Sequence, residues 1–237
     1  MRFTKILLLS FFVMSTLGWS QEQTINQFDE KGNRHGVWKG IHEKSKRPRY
    51  EGTFVHGKET GIFKYFDDTK AGKVIATRDF SRGDGGCYVT FFDQKGNKVS
   101  EGYINKEKEN EGKWVYYHKE SPQIMSVENF KNGKRQGKVV VFYQDGKIAS
   151  ETHYNEGIKE GVFKKYSRSG IVLEEIPYKN DQFSGLVTYR DQSGNIIAQG
   201  MYEKGLKMGI WKYYENGKLT KEVNEEEKRK GQIIETK

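Results

Sequence analysis

The sequence predicts an all-β protein, an elongated and twisted antiparallel meander of about eight tandem β-hairpin repeats that form a single repeat domain. Three observations predict this fold. Glycines recur at a near-constant spacing of 24 to 26 residues, an apolar and usually aromatic residue stands two positions after each of them, and most copies then continue into a glycine turn. Periods of this size are typical of repeat architectures. The repeat starts are Gly36, Gly61, Gly86, Gly112, Gly137, Gly161, Gly185 and Gly209.

Each repeat contains a strand, a tight turn and a returning strand. Aromatic and β-branched residues after the start glycine favour a strand. The turn glycine can adopt a positive φ without a steric penalty, which suits a hairpin. The apolar positions are Trp38, Phe63, Tyr88, Trp114, Val139, Phe163, Val187 and Trp211. The clearest turns are Asp145-Gly146, Ser169-Gly170, Ser193-Gly194 and Asn216-Gly217.

The returning strand indicates how neighbouring repeats pair. It closes on an aromatic residue seven positions before the next start, and a second turn leads into that start, so no crossover helix is needed. Burying two aromatic side chains contributes about 3 to 6 kcal/mol, whereas ordering a repeat costs about 1 to 2 kcal/mol per residue. One repeat therefore cannot fold alone, and stability must come from contacts between neighbours. The closing aromatics are Phe54, Phe130, Tyr154, Tyr178 and Tyr202.

Residues 1–20 differ in kind from the rest of the chain. Arg2 and Lys5 precede an apolar run, and small residues follow it, as in a secretory signal peptide. The apolar run is shorter than the about 20 residues that a spanning helix needs, so we expect no transmembrane span in the mature chain. The only cysteine, Cys87, lies far from the cleavage region, which disfavours a lipoprotein. We therefore expect a secreted or periplasmic protein whose repeat domain covers residues 21–237.

The ends of the array are predicted separately from the repeats. Residues 21–27 are expected to form an opening strand that ends at Phe28. Residues 224–230 are rich in charge and are expected to turn or to form a short helical cap, and residues 232–236 could add a final strand. One cysteine excludes an internal disulfide framework, and Cys87 is expected to occupy an ordinary strand position just after a start glycine.

The repeat motif resembles the bacterial variant of the MORN-repeat family. The motif is an aromatic residue, two residues, a glycine, three residues, Gly-x-aromatic, and then a tyrosine and a Gly-Lys turn, and residues 154–166 and 202–218 match it best. The resemblance covers residues 28–223 and implies an elongated sheet of hairpins. It also implies an interaction scaffold or a surface-associating module. Many bacterial proteins of this kind carry an antitoxin label, which fits poorly with a signal peptide.

The sequence offers no recognised catalytic, metal or cofactor motif. The five histidines are scattered over different repeats at no metal-ligand spacing, and there is no nucleophile elbow, P-loop or dinucleotide fingerprint. We therefore expect that the protein is not an enzyme and that it binds no cofactor. Two histidines from adjacent repeats could still meet in space. The histidines are His35, His42, His56, His118 and His153.

Two surface features are candidates for binding. Lysines that follow glycines could form rows along an edge, either to keep the sheet soluble or as a basic surface for acidic lipid, lipopolysaccharide or an acidic protein, given the formal net charge of +9. Tyr117 and Tyr214 stand next to a strand aromatic and should face the other side of the sheet, unless a β-bulge turns both inward. Nucleic acid is not expected as a partner of an exported protein. The lysines are Lys58, Lys73, Lys134, Lys147 and Lys218.

The sequence thus predicts an exported, non-enzymatic repeat scaffold that binds another macromolecule, a protein in the first place, in the envelope or outside the cell. The alternative is a surface-associating module for acidic lipid or glycan that uses the repeated lysines and aromatics. An antitoxin-type neutralising partner is a further alternative.

Overall fold

The protein is described by a computed structural model, which covers residues 24–235. Within these residues the chain forms twenty strands and one helix, α1 (Glu225–Glu235). The strands are β1 (Gln27–Phe28), β2 (Arg34–Ile41), β3 (Pro48–Val55), β4 (Lys58–Phe66), β5 (Val74–Asp79), β6 (Cys87–Phe92), β7 (Lys98–Ile104), β8 (Asn110–Tyr117), β9 (Ile124–Lys131), β10 (Lys134–Arg135), β11 (Gly137–Phe142), β12 (Ile148–Asn155), β13 (Ile158–Lys159), β14 (Gly161–Tyr166), β15 (Val172–Lys179), β16 (Gln182–Phe183), β17 (Gly185–Arg190), β18 (Ile196–Glu203), β19 (Leu206–Glu215) and β20 (Lys218–Asn224).

The strands form one antiparallel sheet in which each long strand pairs with the long strands before and after it in the chain. The short strands β10, β13 and β16 continue the line of β11, β14 and β17 and pair with the preceding long strand. The predicted all-β meander of tandem hairpins is therefore confirmed. Its strands are joined without a crossover because each return needs only a turn.

The register explains why most repeats begin with a glycine and close with an aromatic residue. Gly36 lies opposite Phe54, Gly112 opposite Phe130, and Gly137, Gly161 and Gly185 lie opposite the next three closing aromatics, Tyr154, Tyr178 and Tyr202. These start glycines all have a positive φ, which a residue with a Cβ adopts only with strain. The ring of each closing aromatic residue therefore lies opposite a glycine, which has no side chain.

The third repeat begins one residue later than its glycine predicts. Cys87 lies opposite Ile104, as Gly36 lies opposite Phe54, so Cys87 and not Gly86 occupies the start position. Gly86 lacks a positive φ, and a Cβ there would overlap the Tyr103 hydroxyl and the Ile104 carbonyl. The prediction of Tyr88 as a core residue is therefore wrong, and Val89 occupies the core position.

A β-bulge interrupts each hairpin at the same place, between the fourth and fifth residues after the start. The extra residue always stands on the returning strand. A bulge bends its strand and increases the local right-handed twist. Because the starting strand keeps its alternation, its fifth residue still faces the side opposite to the second. The extra residues are Arg49, Ile75, Val99, Met125, Ala149, Leu173, Ile197 and Thr220.

All the buried apolar side chains of residues 24–235 lie on one side of the sheet, which we call the core face. Trp114 and Trp211 each cover a glycine of the neighbouring strand, Gly102 and Gly200, and a Cβ on either glycine would overlap the indole. The indole N–H groups donate to the carbonyls of Tyr103 and Met201. The buried side chains are Phe54, Phe63, Ala76, Cys87, Val89, Trp114, Val139, Ile176, Val187 and Trp211.

The turns at the start-glycine side of the sheet, which we call the start edge, join each repeat to the one before it. Two residues with positive φ form several of these turns, as type I′ hairpins require. Their second N–H donates to a carbonyl of the preceding repeat, as Gly157 does to Arg135 at 2.8 Å. The side chain just before a start glycine accepts the other turn N–H, as Gln136 does from Glu156. Such contacts reach only the adjacent repeat, which is the nearest-neighbour stability of a repeat array.

The two ends differ in part from the predictions. The opening strand exists as β1, which pairs with β2, and residues 24–26 before it are not in a strand. Residues 21–23 of this prediction lie outside the described residues. The predicted cap is a helix, whereas the predicted final strand is wrong, because α1 continues through Glu235. Asn224 accepts the N–H groups of Glu226 and Glu227 at the start of this helix, and three glutamates in its first turn suit the helix dipole. Residues 232–235 therefore belong to the helix and not to the sheet.

Residues 24–235 contain no helix that is both long and apolar enough to span a membrane. The predicted signal peptide, residues 1–20, lies outside the described residues.

Candidate binding surfaces

The sheet side opposite to the core face carries a continuous row of directly paired side chains, one from each long strand. We call this side the ladder face and the row the central row. Successive ladders place each member opposite the next, with Lys64 between Glu51 and Thr77 as an example. The row is Lys39, Glu51, Lys64, Thr77, Thr90, Glu101, Val115, Val127, Val140, Glu151, Lys164, Glu175, Thr188, Gln199, Lys212 and Glu222.

Charge alternates along both halves of the central row. Lys64 reaches Glu51 at 3.2 Å, Lys164 reaches Glu175 at 3.8 Å, and Lys212 reaches Glu222 at 3.7 Å. Each exposed pair contributes only about 0 to 1 kcal/mol. Opposite charges directly across the ladder favour the observed register, because a slip would separate them. The three valines in the middle are half-buried and divide the charged stretches.

The predicted tyrosine positions lie on the ladder face, as the alternation of the strand requires. Tyr117 and Tyr214 are half-buried. The Tyr117 hydroxyl donates to Glu101 of the central row, and burial together with this hydrogen bond raises the pKa of Tyr117 to about 12. Tyr214 accepts a hydrogen bond from Gln199 at 3.4 Å. These hydroxyls are therefore bound within the sheet, and the rings cover the paired strand.

A third set of ladder-face residues is exposed and apolar, and sequence reasoning did not identify it. In the last three repeats the residue after the start glycine is aliphatic, and Leu186 lies directly opposite Met201. Their exposed fractions are 54% and 48%, and that of Ile210 is 55%. The same position in the middle repeats is lysine, Lys113 and Lys138. We call Val162, Leu186, Met201 and Ile210 the apolar row.

The predicted lysines are exposed, but they do not form one row. Lys58 and Lys134 follow turns of the start edge, whereas Lys73, Lys147 and Lys218 follow turns at the opposite edge. Lys73 donates to the carbonyl of Gln94 at 2.6 Å, in the next repeat. A prediction from glycine-lysine pairs alone merged two kinds of turn, because both kinds carry that pair.

A second group of cations lies over the aromatic rings of the core face. Lys207 lies 4.0 Å from the Trp211 ring centre, Arg34 lies 4.7 Å from that of Trp38, and Lys159 lies 4.9 Å from that of Tyr178. All three cations stand two residues before a start glycine, a repeated position that the sequence analysis missed. Cation–π contacts at such sites are worth about 0.5 to 1 kcal/mol. These cations shield the edge of the core from water.

An Asp-x-x-Gly-Asn motif, also missed, fixes three of the turns. The first aspartate accepts two backbone N–H groups, and the asparagine amide donates to its other oxygen, as in Asp191 with Ser193 and Asn195. These hydrogen bonds, above all those of the asparagine, hold the pKa of Asp191 below its usual value. The motif occurs at residues 29–33, 93–97 and 191–195.

The first of these turns lies beside two histidines of adjacent repeats. The His35 and His56 rings are 4.9 Å apart between centres, and Nδ1 of His56 lies 2.8 Å from Oδ2 of Asp29. One ligand atom from each of these three residues lies within 4.8 Å of the others. The sequence suggested no metal spacing because the histidines are 21 residues apart. The repeat rule would have found them: His35 precedes a start glycine and His56 stands in the next start-edge turn, like Gln136 and Glu156.

No curated protein matches the chain. Solved structures give weak likenesses: a GtfA/B complex at 15% identity and TM-score 0.28, covering 40% of this chain and 18% of that one, and a Photorhabdus luminescens Tc holotoxin pore at 10% and 0.17, covering 84% and 12%. A Bacteroides fragilis protein of unknown function matches at 7% identity and TM-score 0.15, covering 62% of this chain and 95% of that one. The chain thus corresponds to less than a fifth of the first two proteins.

The family comparison agrees with the register. Three segments match the family model described as the MORN repeat variant, residues 135–156, 159–180 and 209–224. They coincide with the hairpins β11–β12, β14–β15 and β19–β20. The predicted family resemblance is therefore confirmed, and the chain contains repeats of the MORN variant at these three places.

Proposed function

We propose that the protein is an exported, non-enzymatic scaffold that binds another protein along its ladder face. The observation that carries this proposal is the apolar row. Leu186, Met201 and Ile210 are each about half exposed on a regular sheet surface, and hydrophobic side chains grouped in this way are typical of interaction sites. The central row flanks the apolar row with polar side chains of both charges and of none, in the order Lys164, Glu175, Thr188, Gln199 and Lys212.

The chemistry of the partner follows from this surface. Apolar side chains flanked by a row of charged and neutral polar residues are suited to a protein surface that has an apolar centre and a polar rim. A flat acidic lipid surface would instead need cations gathered on one side, and the glycine-following lysines are divided between two edges. The shifted carboxylates, such as Asp93, hold turns through hydrogen bonds, which supports a binding role over a catalytic one.

The test compares two baits in affinity capture from an envelope extract. Residues 21–237 are used as the native bait and with the double substitution Leu186→Lys and Met201→Glu, which places opposite charges across one ladder pair and so preserves pairing. The control is Leu206→Lys, because Leu206 is 57% exposed, lies outside the apolar row and also faces a glutamate, Glu203.

We expect one stoichiometric protein to be retained by the native bait and the control at about 0.5 M salt, where the Debye length is about 4 Å. The double variant should retain less than a tenth as much of this protein. Equal retention by the double variant would show that the partner does not use the apolar row. A captured toxin would identify the antitoxin-type role.

The surface-associating alternative makes a different prediction. Vesicles containing acidic lipid should bind the native protein at low salt and release it as salt rises. Lys58→Glu with Lys134→Glu tests the start edge, and Lys147→Glu with Lys218→Glu tests the opposite edge. Loss of vesicle binding with only one of these pairs would assign the lipid surface to that edge, and unchanged binding with both would reject the lysines as its basis.

Export is tested by fractionating cells that express the full-length chain. We expect the protein outside the cytoplasm with an N-terminus at Gln21. A cytoplasmic protein that retains Met1 would contradict the proposal.

A further inference from the structure

The structure assigns a transition-metal site to Asp29, His35 and His56 at the start edge of the first repeat, and we propose Zn²⁺ as the ion that it takes. This site is independent of the proposed protein-binding surface. Two imidazoles and one carboxylate are ligands that zinc accepts readily, with bonds of about 2.0 to 2.2 Å. Imidazole ligands disfavour Ca²⁺ and Mg²⁺, which prefer oxygen.

The geometry requires little movement. Ligand atoms bound to one tetrahedral zinc ion are about 3.4 Å apart, as follows from its bond lengths. Here one atom from each residue already lies within 4.8 Å of the other two. His35 and His56 are exposed, so rotation of their side chains brings the rings to an ion without disturbing the core face.

The backbone holds the three residues in place before any ion binds. Oδ1 of Asp29 accepts the N–H groups of Lys31 and Asn33, and Oδ2 accepts the Asn33 side-chain amide at 3.2 Å and lies 2.8 Å from Nδ1 of His56. His56 stands in a turn with positive φ, followed by Gly57, whose N–H donates to the carbonyl of Arg34. The two histidines are thus fixed on neighbouring repeats by a contact that recurs at four later start-edge turns.

The surroundings leave room for the ion and a fourth ligand. The three residues line a cleft of about 570 Å³, together with Phe28 and the side chains of Glu30 and Lys31, whose charges offset each other. Three protein ligands leave one tetrahedral position for water or for an added donor. A bound ion would tie β1, β2 and the turn after β3 together, at the end of the array opposite to α1.

The experiment is a titration of the untagged chain with ZnCl₂ after treatment with a chelator, measured by calorimetry and by thermal unfolding. The chain itself suggests variants that keep the fold. His35→Gln places at 35 the residue that accepts a turn N–H at Gln136, and His56→Asn places at 56 the residue that forms the same turn at Asn132. His153→Ala is the matched control, because His153 is an exposed histidine on β12 outside the cluster.

We expect the native chain and the control to bind one zinc ion at micromolar concentration and to unfold at a higher temperature with zinc. CaCl₂ should have no such effect. Each ligand variant should bind at least tenfold more weakly while unfolding like the native chain in chelator. Saturable zinc binding that persists in both variants, or no binding by the native chain at millimolar zinc, would overturn the proposal.

Discussion

At the scale of single residues, the fold depends on positions where a side chain is missing. Gly102 and Gly200 lie under the indoles of Trp114 and Trp211, which fill the space of an absent Cβ. The tryptophans are 4% and 1% exposed, although the sheet has only one layer. A tryptophan can be this deeply buried in a single sheet because the backbone beneath it approaches so closely.

Gly200→Ala should therefore lower the free energy of unfolding by about 1 to 3 kcal/mol, because the new methyl group displaces the Trp211 ring. Urea unfolding followed by tryptophan fluorescence measures this loss. Gly231→Ala is the control: Gly231 lies in α1 with open space around it, and the change should raise stability by up to about 1 kcal/mol. Equal effects of the two substitutions would contradict the packing argument.

The turn aspartates predict a dependence on pH. The folded-state pKa of Asp191 is below its ordinary value of 3.8, so its stabilisation is fully present above the unfolded pKa and is lost as pH falls through the folded pKa. Asp191→Asn should therefore lower the melting temperature at pH 7, and the difference from the native chain should shrink in acid.

The matched control for this prediction is Ser167→Ala. Ser167 accepts the N–H of Ile171 in the equivalent turn and does not titrate, so the deficit of this variant should stay constant with pH. A pH-independent deficit for Asp191→Asn as well would show that its charge has no part in the turn.

At the scale of the elements, most of each hairpin followed from periodicity. The start glycines, the closing aromatics and the turns lie where the sequence placed them, since a repeat presents the same signal several times. The third start was displaced because Cys87 has taken the glycine position, and composition could not distinguish it from its neighbour Gly86. The bulges were not predicted, because no residue type marks the extra position, which is Arg49 in one repeat and Ala149 in another.

The candidate surfaces were less predictable for the same reason. The central row needs the register of every strand, and one residue of error moves a side chain to the other face. The apolar row lies at a position that is lysine in two repeats. The histidine pair could have been found from the repeat positions, but only with the knowledge that the residue before a start glycine contacts the next start-edge turn, and the strand pairing supplies that knowledge.

The start-edge turns make a reciprocal prediction. Glu156 and Asn132 occupy the same turn position with φ of 49°, a conformation that asparagine tolerates better than glutamate. Glu156→Asn should raise the free energy of unfolding by about 1 kcal/mol, and Asn132→Glu should lower it by about as much. Urea unfolding of both variants measures the change, and effects of the same sign would contradict the turn assignment.

At the scale of the whole molecule, the array within residues 24–235 has no central core that every repeat shares. Contacts run from each hairpin to its neighbours, and the two ends are closed by different devices, the short strand β1 and the helix α1. Glu226 of that helix accepts the N–H of Gly209, and so satisfies a backbone group of the last repeat. Stability should therefore be close to a sum of repeat and interface contributions.

Deleting residues 161–184, one complete repeat, should leave a folded protein, because Gly185 then takes the place of Gly161 opposite the same neighbours. Circular dichroism should retain the strand signal, and the urea dependence of the unfolding free energy should fall in proportion to the surface lost. Deleting residues 161–172 is the control, since it removes one strand and reverses the direction of all that follow. If both deletions unfold the protein, the nearest-neighbour description is wrong.

The repeated bulge also relates chain length to orientation. Each hairpin bends at the same point and in the same sense, so each repeat adds a further rotation in the same direction along the array. Inserting or removing one repeat would then change not only the distance between the two ends but also the angle at which they point. A rigid partner that contacts both halves of the ladder face would detect this angle, and would tolerate substitutions in a turn better than a change in the number of repeats.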